Sequence, residues 1–400
     1  MIQASRLARD WKLDPRRTLA DLDAGFRANH IRPSEFSLRD LATHLIEAAG
    51  GPLGHDGLRA LEGRSENLRL LETTGAISTS AFRLVTQRMV DAAVMEGMQL
   101  PPTPLSAVLP VVEGRKRRSE FVMPSIPLEQ GKSARDVQEG EEYPVLGIYG
   151  QRVKNLPVRK KAMQIPVTRE AVLEDDTGAL LEAARNAGTA VARLKEDLIC
   201  DFLAGLIPNC VIEQLVGDTT DVTSDLFLTS GRWVNSHTNV LVDWTDLDDA
   251  SNLLYGNTIP GTNAPAVLVQ RHLLVPEQRR SLAYRILNAI ETRSGTSNVV
   301  IAGNPYGGQG DAPGVSLLVS PHLYSRQIAA GVTTANAQGT WYYGDLTQAF
   351  RYYQLWPVEV NEEPTPATRY THDIWMRFSV SECGIPVCVQ PRVWSRNLPT

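Results

Sequence analysis

The sequence predicts an α+β chain, and three stretches predict it: one unusually long amphipathic helix, a pair of extended, proline-interrupted arms, and a series of short apolar strands with a helix among them. The helix lies within Ile165 to Gly205. Apolar or small residues recur at Leu180, Ala184, Ala187, Val191, Leu194, Leu198 and Phe202, in steps of four and three, so one continuous stripe is expected to be buried. Asp175, Asp176 and Thr177 suit the free N–H groups and positive dipole end of a first turn, and Gly205 followed by Pro208 supplies the stop. From Thr177 to Ala204 such a helix is roughly 42 Å long at about 1.5 Å per residue. Its charged positions, Glu182, Arg185, Arg193, Lys195 and Glu196, are expected on the remaining faces.

The 400 residues, 42% hydrophobic and 21% charged, suffice for two or three domain-sized cores and exclude a disordered chain. A formal charge of −5 gives no bulk positive field for gripping a nucleic-acid backbone. No apolar run approaches the ~20 residues that span a bilayer. The opening MIQASRLARDWKLDPRR is charged throughout, where a signal peptide is apolar, so a soluble intracellular protein is expected. The four cysteines, Cys200, Cys210, Cys383 and Cys388, have neither zinc-site spacing nor the density of a disulfide scaffold, and free thiols are expected.

In order, residues 1–75 read as a separate helical region, with a helix in PSEFSLRDLATHLIEAAGG between Pro33-Ser34 and Gly50-Gly51. A second helix, Ser78 to Glu96, leads into the linker QLPPTPLS. Two extended arms follow, VLPVVEGRKRRSEFVMPSIP and YPVLGIYGQRVKNLPVRKKAMQIPVT, joined by the polar stretch LEQGKSARDVQEGEE. They predict a hairpin. Pro124, Pro127 and Pro157 fit poorly in a central strand, so the hairpin is expected as an exposed two-stranded flap that needs a neighbouring subunit to lie on. Basic residues gather towards its base (Arg115, Lys116, Arg117, Arg118, Arg159, Lys160 and Lys161), and Glu139, Glu141 and Glu142 lie near its tip. Head-to-tail packing would bring an acidic tip onto basic ground of the next copy.

Beyond the long helix, Val211 to Asn257 alternates β-favouring and turn residues, with Trp233 and Trp244 as packing anchors. A buried strand is expected over Ala266 to Gln270, then a proline-led turn and a helix from about Pro276 to Ile290. VVIAG and GVSLLVSP read as short buried strands. The last 60 or so residues predict two long paired strands around a loop near Glu362 to Thr371.

Catalytic signals are scarce. GGQGDAPG, Gly307 to Gly314, lacks the Lys-Ser/Thr and the helix start of a phosphate-cradling loop. Neither G-x-S-x-G nor H-E-x-x-H occurs. His237, His272, His322 and His372 show no consistent acidic or cysteine partner in the sequence. The carboxylates Glu170, Glu174, Asp175 and Asp176 are explained by capping at the helix start. No catalytic, cofactor or metal residue is assigned, and no enzymatic activity is expected.

EGEEYPVLGIYGQRVKNLPVRKKAMQIPVTREAVLEDD, with the long helix after it, resembles the extended loop and spine helix of tailed-bacteriophage major capsid proteins of the Hong Kong 97 type. VLVQRHLLVPEQRRSLAYRIL resembles the strand and proline-led helix of that family's axial domain, and IWMRFSVSECGIPVCVQPRVWSRN its closing strands, in the family's order. The resemblance covers about residues 110–397 and leaves 1–75 unmatched. The helical pattern makes 1–110 an N-terminal helical region and arm, and the resemblance implies an extended loop hairpin over 111–168, a peripheral domain with the spine helix over 169–225 and 350–380, and an axial domain over 226–349 and 381–400. It also implies a head protein that self-assembles as hexamers and pentamers into an icosahedral shell enclosing double-stranded DNA, built in the host cytoplasm and resident in the virion. A portal protein, and scaffolding or decoration proteins, are the implied partners, with no membrane. Lys132, Glu139, Glu141, Glu142, Arg117, Arg118, Arg159, Lys160 and Lys161 are the expected inter-subunit contacts of the loop. Some relatives link a loop lysine to a neighbour's asparagine; Lys132 and Asn361 have the position for this but no motif marks them. An encapsulin-like shell around protein cargo is the alternative reading of the same fold.

Overall fold

The long helix predicted from the stripe runs from Thr177 to Leu203. The structure is a computed structural model and describes residues 79–114, 121–129, 137–139, 148–155, 158–168, 177–207, 210–216, 219–223, 225–231, 233–258, 265–288, 291–293, 300–303, 314–363 and 374–399, with scattered positions between 10 and 25. Its helices among these are α1 (Thr79–Gln99), α2 (Pro104–Val108), α3 (Thr177–Leu203), α4 (Trp244–Tyr255), α5 (Arg280–Asn288), α6 (Pro321–Ala329), α7 (Thr334–Gly339) and α8 (Leu346–Ala349). The strands are β1 (Val111–Glu113), β2 (Phe121–Glu129), β3 (Ile148–Asn155), β4 (Arg159–Thr168), β5 (Cys210–Val216), β6 (Thr219–Thr223), β7 (Ser236–Thr238), β8 (Arg271–Pro276), β9 (Glu291–Arg293), β10 (Val300–Gly303), β11 (Val315–Ser320), β12 (Trp341–Gly344), β13 (Phe350–Glu363), β14 (Ile374–Cys388) and β15 (Trp394–Leu398). The helix expected in 33–51 lies outside the described residues, as do Asp175, Asp176, Pro157, Glu170, Glu174 and His372. No described helix is long and apolar enough to cross a membrane.

The chain divides into two units. The first takes the described residues of Met1–Pro101, Lys160–Arg193 and Pro357–Glu382. In it α1 buries Val85, Met89 and Ala93 in one row and Thr86, Val90 and Val94 in the next, the four-residue step of one helix face. That face meets α3 at two glycines. A Cβ on Gly97 would strike the Arg185 carbonyl, and one on Gly188 would strike the Val94 carbonyl, so both positions need hydrogen for side chains. The Thr189 hydroxyl donates to the Gly97 carbonyl at 2.8 Å, and Arg185 pairs with Glu96 at 3.0 Å, beside the same crossing. Strand β4 neighbours β14, which neighbours β13. Pro166 and the exposed Arg159 and Lys160 mark β4 as a protected edge.

The second unit takes the described residues of Pro102–Arg159, Leu194–Trp356 and Cys383–Thr400. Its centre is a five-stranded sheet in the order β11-β8-β12-β15-β7, with parallel pairs at both edges and antiparallel pairs between. α5 packs on β8 and β11, and α4 on β12 and β15. Leu273, Leu274, Val275, Tyr342, Tyr343 and Trp394 fill the core, where Trp394 stacks on Tyr342 at 6.2 Å and meets Phe350 edge-on at 5.9 Å. The expected strand over 266–270 is displaced: β8 begins at Arg271. The reason is Asp345, whose Oδ2 takes the Val269 and Gln270 N–H groups at 3.0 and 2.8 Å, so those donors are already bound by a side chain. The stretch Val211 to Asn257 holds β5, β6 and β7, but its end is the helix α4. Trp233 is buried, as expected, and Trp244 packs partly buried at the start of α4.

The stripe on α3 also needs correction. Leu194 is 52% exposed, and Glu196, expected on a solvent face, is fully buried. From Ala192 onward burial along the helix follows Glu196, Ile199, Cys200 and Leu203, and Leu194 is left outside it. Its end follows the expected stop: Gly205 has φ +67°, with Leu206 N–H on the Asp201 carbonyl at 2.9 Å and Gly205 N–H on that of Phe202 at 3.1 Å.

The predicted hairpin is present as β2 and β3, antiparallel, with the register shifting between Pro124 and Pro127. It is not a two-stranded flap. β5 pairs with β3 and β6 with β5, making a four-stranded sheet β2-β3-β5-β6. Pro124 and Pro127 lie on β2, an edge strand, where a missing N–H breaks no inner ladder. The outer ends of the two arms join other strands: β1 pairs in parallel with β13, and β4 neighbours β14.

Candidate functional site

The charges of the hairpin are distributed by its register. Pairing runs from Phe121↔Asn155 to Glu129↔Ile148, so the 130–147 connection closes one end and the chain enters and leaves at the other. Glu139 is exposed in a turn of that connection, and Arg159 and Lys160 are exposed at the start of β4. Lys161 is different: it is buried, with its Nζ 3.8 Å from Oε2 of the buried Glu382, and is engaged inside its own chain. Arg117, Arg118, Lys132, Glu141 and Glu142 lie outside the described residues. Asn361 is exposed in β13.

Two helices on the five-stranded sheet carry opposite charge. α4 contains Asp246, Asp248 and Asp249 and no Lys or Arg, while α5 contains Arg280 and Arg285 and no Asp or Glu. Beside α5 the surface forms a hollow of about 430 Å³ lined by Gln278, Arg279, Ser281, Leu282, Arg285 and Gln338.

The titratable groups in the second unit form a ladder between α3 and α6. Asp197 Oδ1 lies 2.7 Å from Nδ1 of His322, and Asp201 pairs with Arg326 through both carboxylate oxygens one turn further on. His322 thus has the acidic partner that spacing alone concealed. Next to this ladder, the Glu196 carboxylate accepts the N–H groups of Leu105 and Ser106 at 2.8 and 2.9 Å. It caps α2, whose own N-cap Thr103 makes no side-chain hydrogen bond. Burial pushes the Glu196 carboxyl above its usual range, and the two N–H donors offset part of that. Burial, with the carboxylates of Asp201, Glu196 and Asp197, pushes the Cys200 thiol well up, so it stays protonated and unreactive. Cys200, Cys383 and Cys388 are buried thiols that form no disulfide. These groups brace helices against each other. Among the described residues no group of three or more His, Cys, Asp or Glu has the arrangement to hold a metal ion.

Comparison with known proteins places the chain. A family model described as phage capsid protein matches residues 153–380, which is more than half of the sequence. The chain belongs to the phage capsid protein family. No curated protein sequence matches it. Solved structures similar to it include a virus-like particle from Pyrococcus furiosus (13% identity, 76% of this chain and 96% of that one, TM-score 0.38). The capsid of a native GTA particle is similar at 12% identity over 75% of this chain and 91% of that one, TM-score 0.44. The capsid of the cyanophage P-SCSP1u is similar at 11% identity over 73% and 86%, TM-score 0.43.

Proposed function

We propose that this chain is the head-shell subunit of a tailed bacteriophage, associating as hexamers and pentamers into an icosahedral shell around double-stranded DNA. The observation that carries the reading is the family match over residues 153–380, which takes in β4, α3 and the five-stranded sheet as far as β12. In this reading the sheet built on β2 and β3 is the extended loop that reaches a neighbour. The first unit is the peripheral domain and the second contributes the axial domain. Glu139, Glu141 and Glu142 at the loop tip meet basic ground on the next copy, including Arg159 and Lys160. The role is mechanical, and the contents are enclosed without sequence-specific contact. A portal protein occupies one vertex, and scaffolding or decoration proteins act during or after assembly in the host cytoplasm.

The test is the content of particles recovered from cells that make this chain together with its neighbouring head genes. Nuclease-protected double-stranded DNA inside closed shells is the expected result. Particles filled with a protein cargo and free of DNA would overturn the reading in favour of a nanocompartment.

A further inference from the structure

We infer that the hollow beside α5 receives the acidic face of α4 from a second copy of this chain, so that each subunit carries both halves of a head-to-tail contact. This rests on the reading as a shell subunit and goes beyond it by naming the residues that choose the partner face.

The carboxylates of α4 and its N-cap divide into two that are used and two that are spare. Asp243 caps the helix, accepting the Thr245 N–H at 2.8 Å, and Asp246 completes the capping box by accepting the Val242 and Asp243 N–H groups at 2.7 and 2.9 Å. Asp248 and Asp249 are exposed on the outer face, and no described group pairs with either. On the other side, Arg280 is held by Glu277 at 3.2 Å, which consumes the nearest acid. Arg279 is aimed by its bond to the Gln338 carbonyl at 3.2 Å, and Arg285 has no described partner. Two guanidiniums at a concave surface with no free acid in its lining form a receptor for carboxylates, which Arg binds through two parallel bonds.

The occupant follows from placement and charge. α4 and α5 stand on different strand pairs of one sheet, and no described hydrogen bond or ion pair joins their outer faces within the chain. Two unlike complementary patches on one subunit make a heterologous contact, which repeats from copy to copy and closes into a ring when the rotation allows. A nucleic-acid backbone is the poorer fit, since the chain carries 45 acidic against 40 basic residues and the hollow offers two cations.

Asp248→Lys with Asp249→Lys makes both faces basic, and Arg279→Glu with Arg285→Glu makes both acidic. Each double variant, shown folded by circular dichroism, is expected to need at least about tenfold more protein to assemble than the wild type, by light scattering and sedimentation. An equimolar mixture of the two should assemble again, in rings of even number only, because like copies cannot be neighbours. All four exchanges in one chain should restore rings of either parity. If the lysine variant fails to fold, Asp248→Asn with Asp249→Asn replaces it, and its assembly must weaken on addition of salt less steeply than that of the wild type. Either double variant assembling at the wild-type concentration, or a mixture no better than its parts, overturns the pairing. So does an arginine variant that assembles normally but loses bound nucleic acid. A wild-type chain that forms no ring or shell, even with its neighbouring genes, removes the shell reading and the pairing with it. Assembly by wild type and variants alike removes the pairing alone.

Discussion

Lys161 and Glu382 face each other with side chains 5% and 0% exposed. Two charges taken out of water depend on each other, so removing one leaves the other buried without its opposite charge beside it. Lys161→Met is expected to lower stability by about 3–5 kcal/mol, and adding Glu382→Leu should recover much of that loss. Denaturant melts of the two single variants and the double variant measure this; additive losses would mean the pair is not coupled. A buried histidine makes a second residue-scale case. Burial lowers the His272 pKa, with Asp345 and a hydrogen bond to the Gly344 backbone offsetting part of the shift, and its Nδ1 accepts the Leu346 N–H at 3.4 Å. A depressed pKa contributes stability that is present above the unfolded value of about 6.5 and is lost as the pH falls through the folded value. His272→Gln should therefore flatten the acid side of the stability profile below pH ~6.5, and equal slopes for the two proteins would contradict it.

At the scale of elements, the crossing of α1 and α3 is the contact with least room. Gly188→Ala places a methyl against the Val94 carbonyl, and the two backbones must separate. A loss of about 2 kcal/mol is expected, in the range for overpacking, despite alanine's better helix propensity. Gly178, whose added Cβ would meet nothing within 4 Å, is the control: Gly178→Ala on the same helix should leave the melting temperature unchanged or raised. Legibility in the sequence followed the same division between local and distant causes. α1 and α3 were readable because their periodicity and stop signals are local. α4 was missed although a local signal existed, the Asp243 to Asp246 capping box, because Trp244 and Thr245 read as strand formers. The start of β8 was beyond local reading, since Asp345, some 75 residues away, takes the donors that would have extended the ladder. The two extra strands beside the hairpin were hidden for a similar reason. They come from residues 210–223, on the far side of α3, and no hairpin signal in the arms points to them.

At the scale of the whole molecule, the candidate site is a set of surfaces, and only part of it was legible. Glu139, Arg159 and Lys160 are exposed, while Lys161, adjacent to Lys160 and identical in type, is internal, its Nζ 3.8 Å from the buried Glu382. A charge run in the sequence does not say which of its members a buried partner withdraws from the surface. The opposed helices α4 and α5 were invisible as a pair until the sheet order set them on different strands. For the loop tip, replacing Glu139, Glu141 and Glu142 together by Gln is expected to impair assembly while leaving the subunit folded. Sizing chromatography beside circular dichroism checks it, and intact particles from the triple variant would count against the tip.

The central claim, that this chain builds a closed shell from copies of itself, is tested most directly by electron microscopy of the purified protein, made alone and again beside its neighbouring genes. Shells, tubes, or rings of five and six subunits are predicted. A monomer or dimer at every concentration under both conditions would contradict the account.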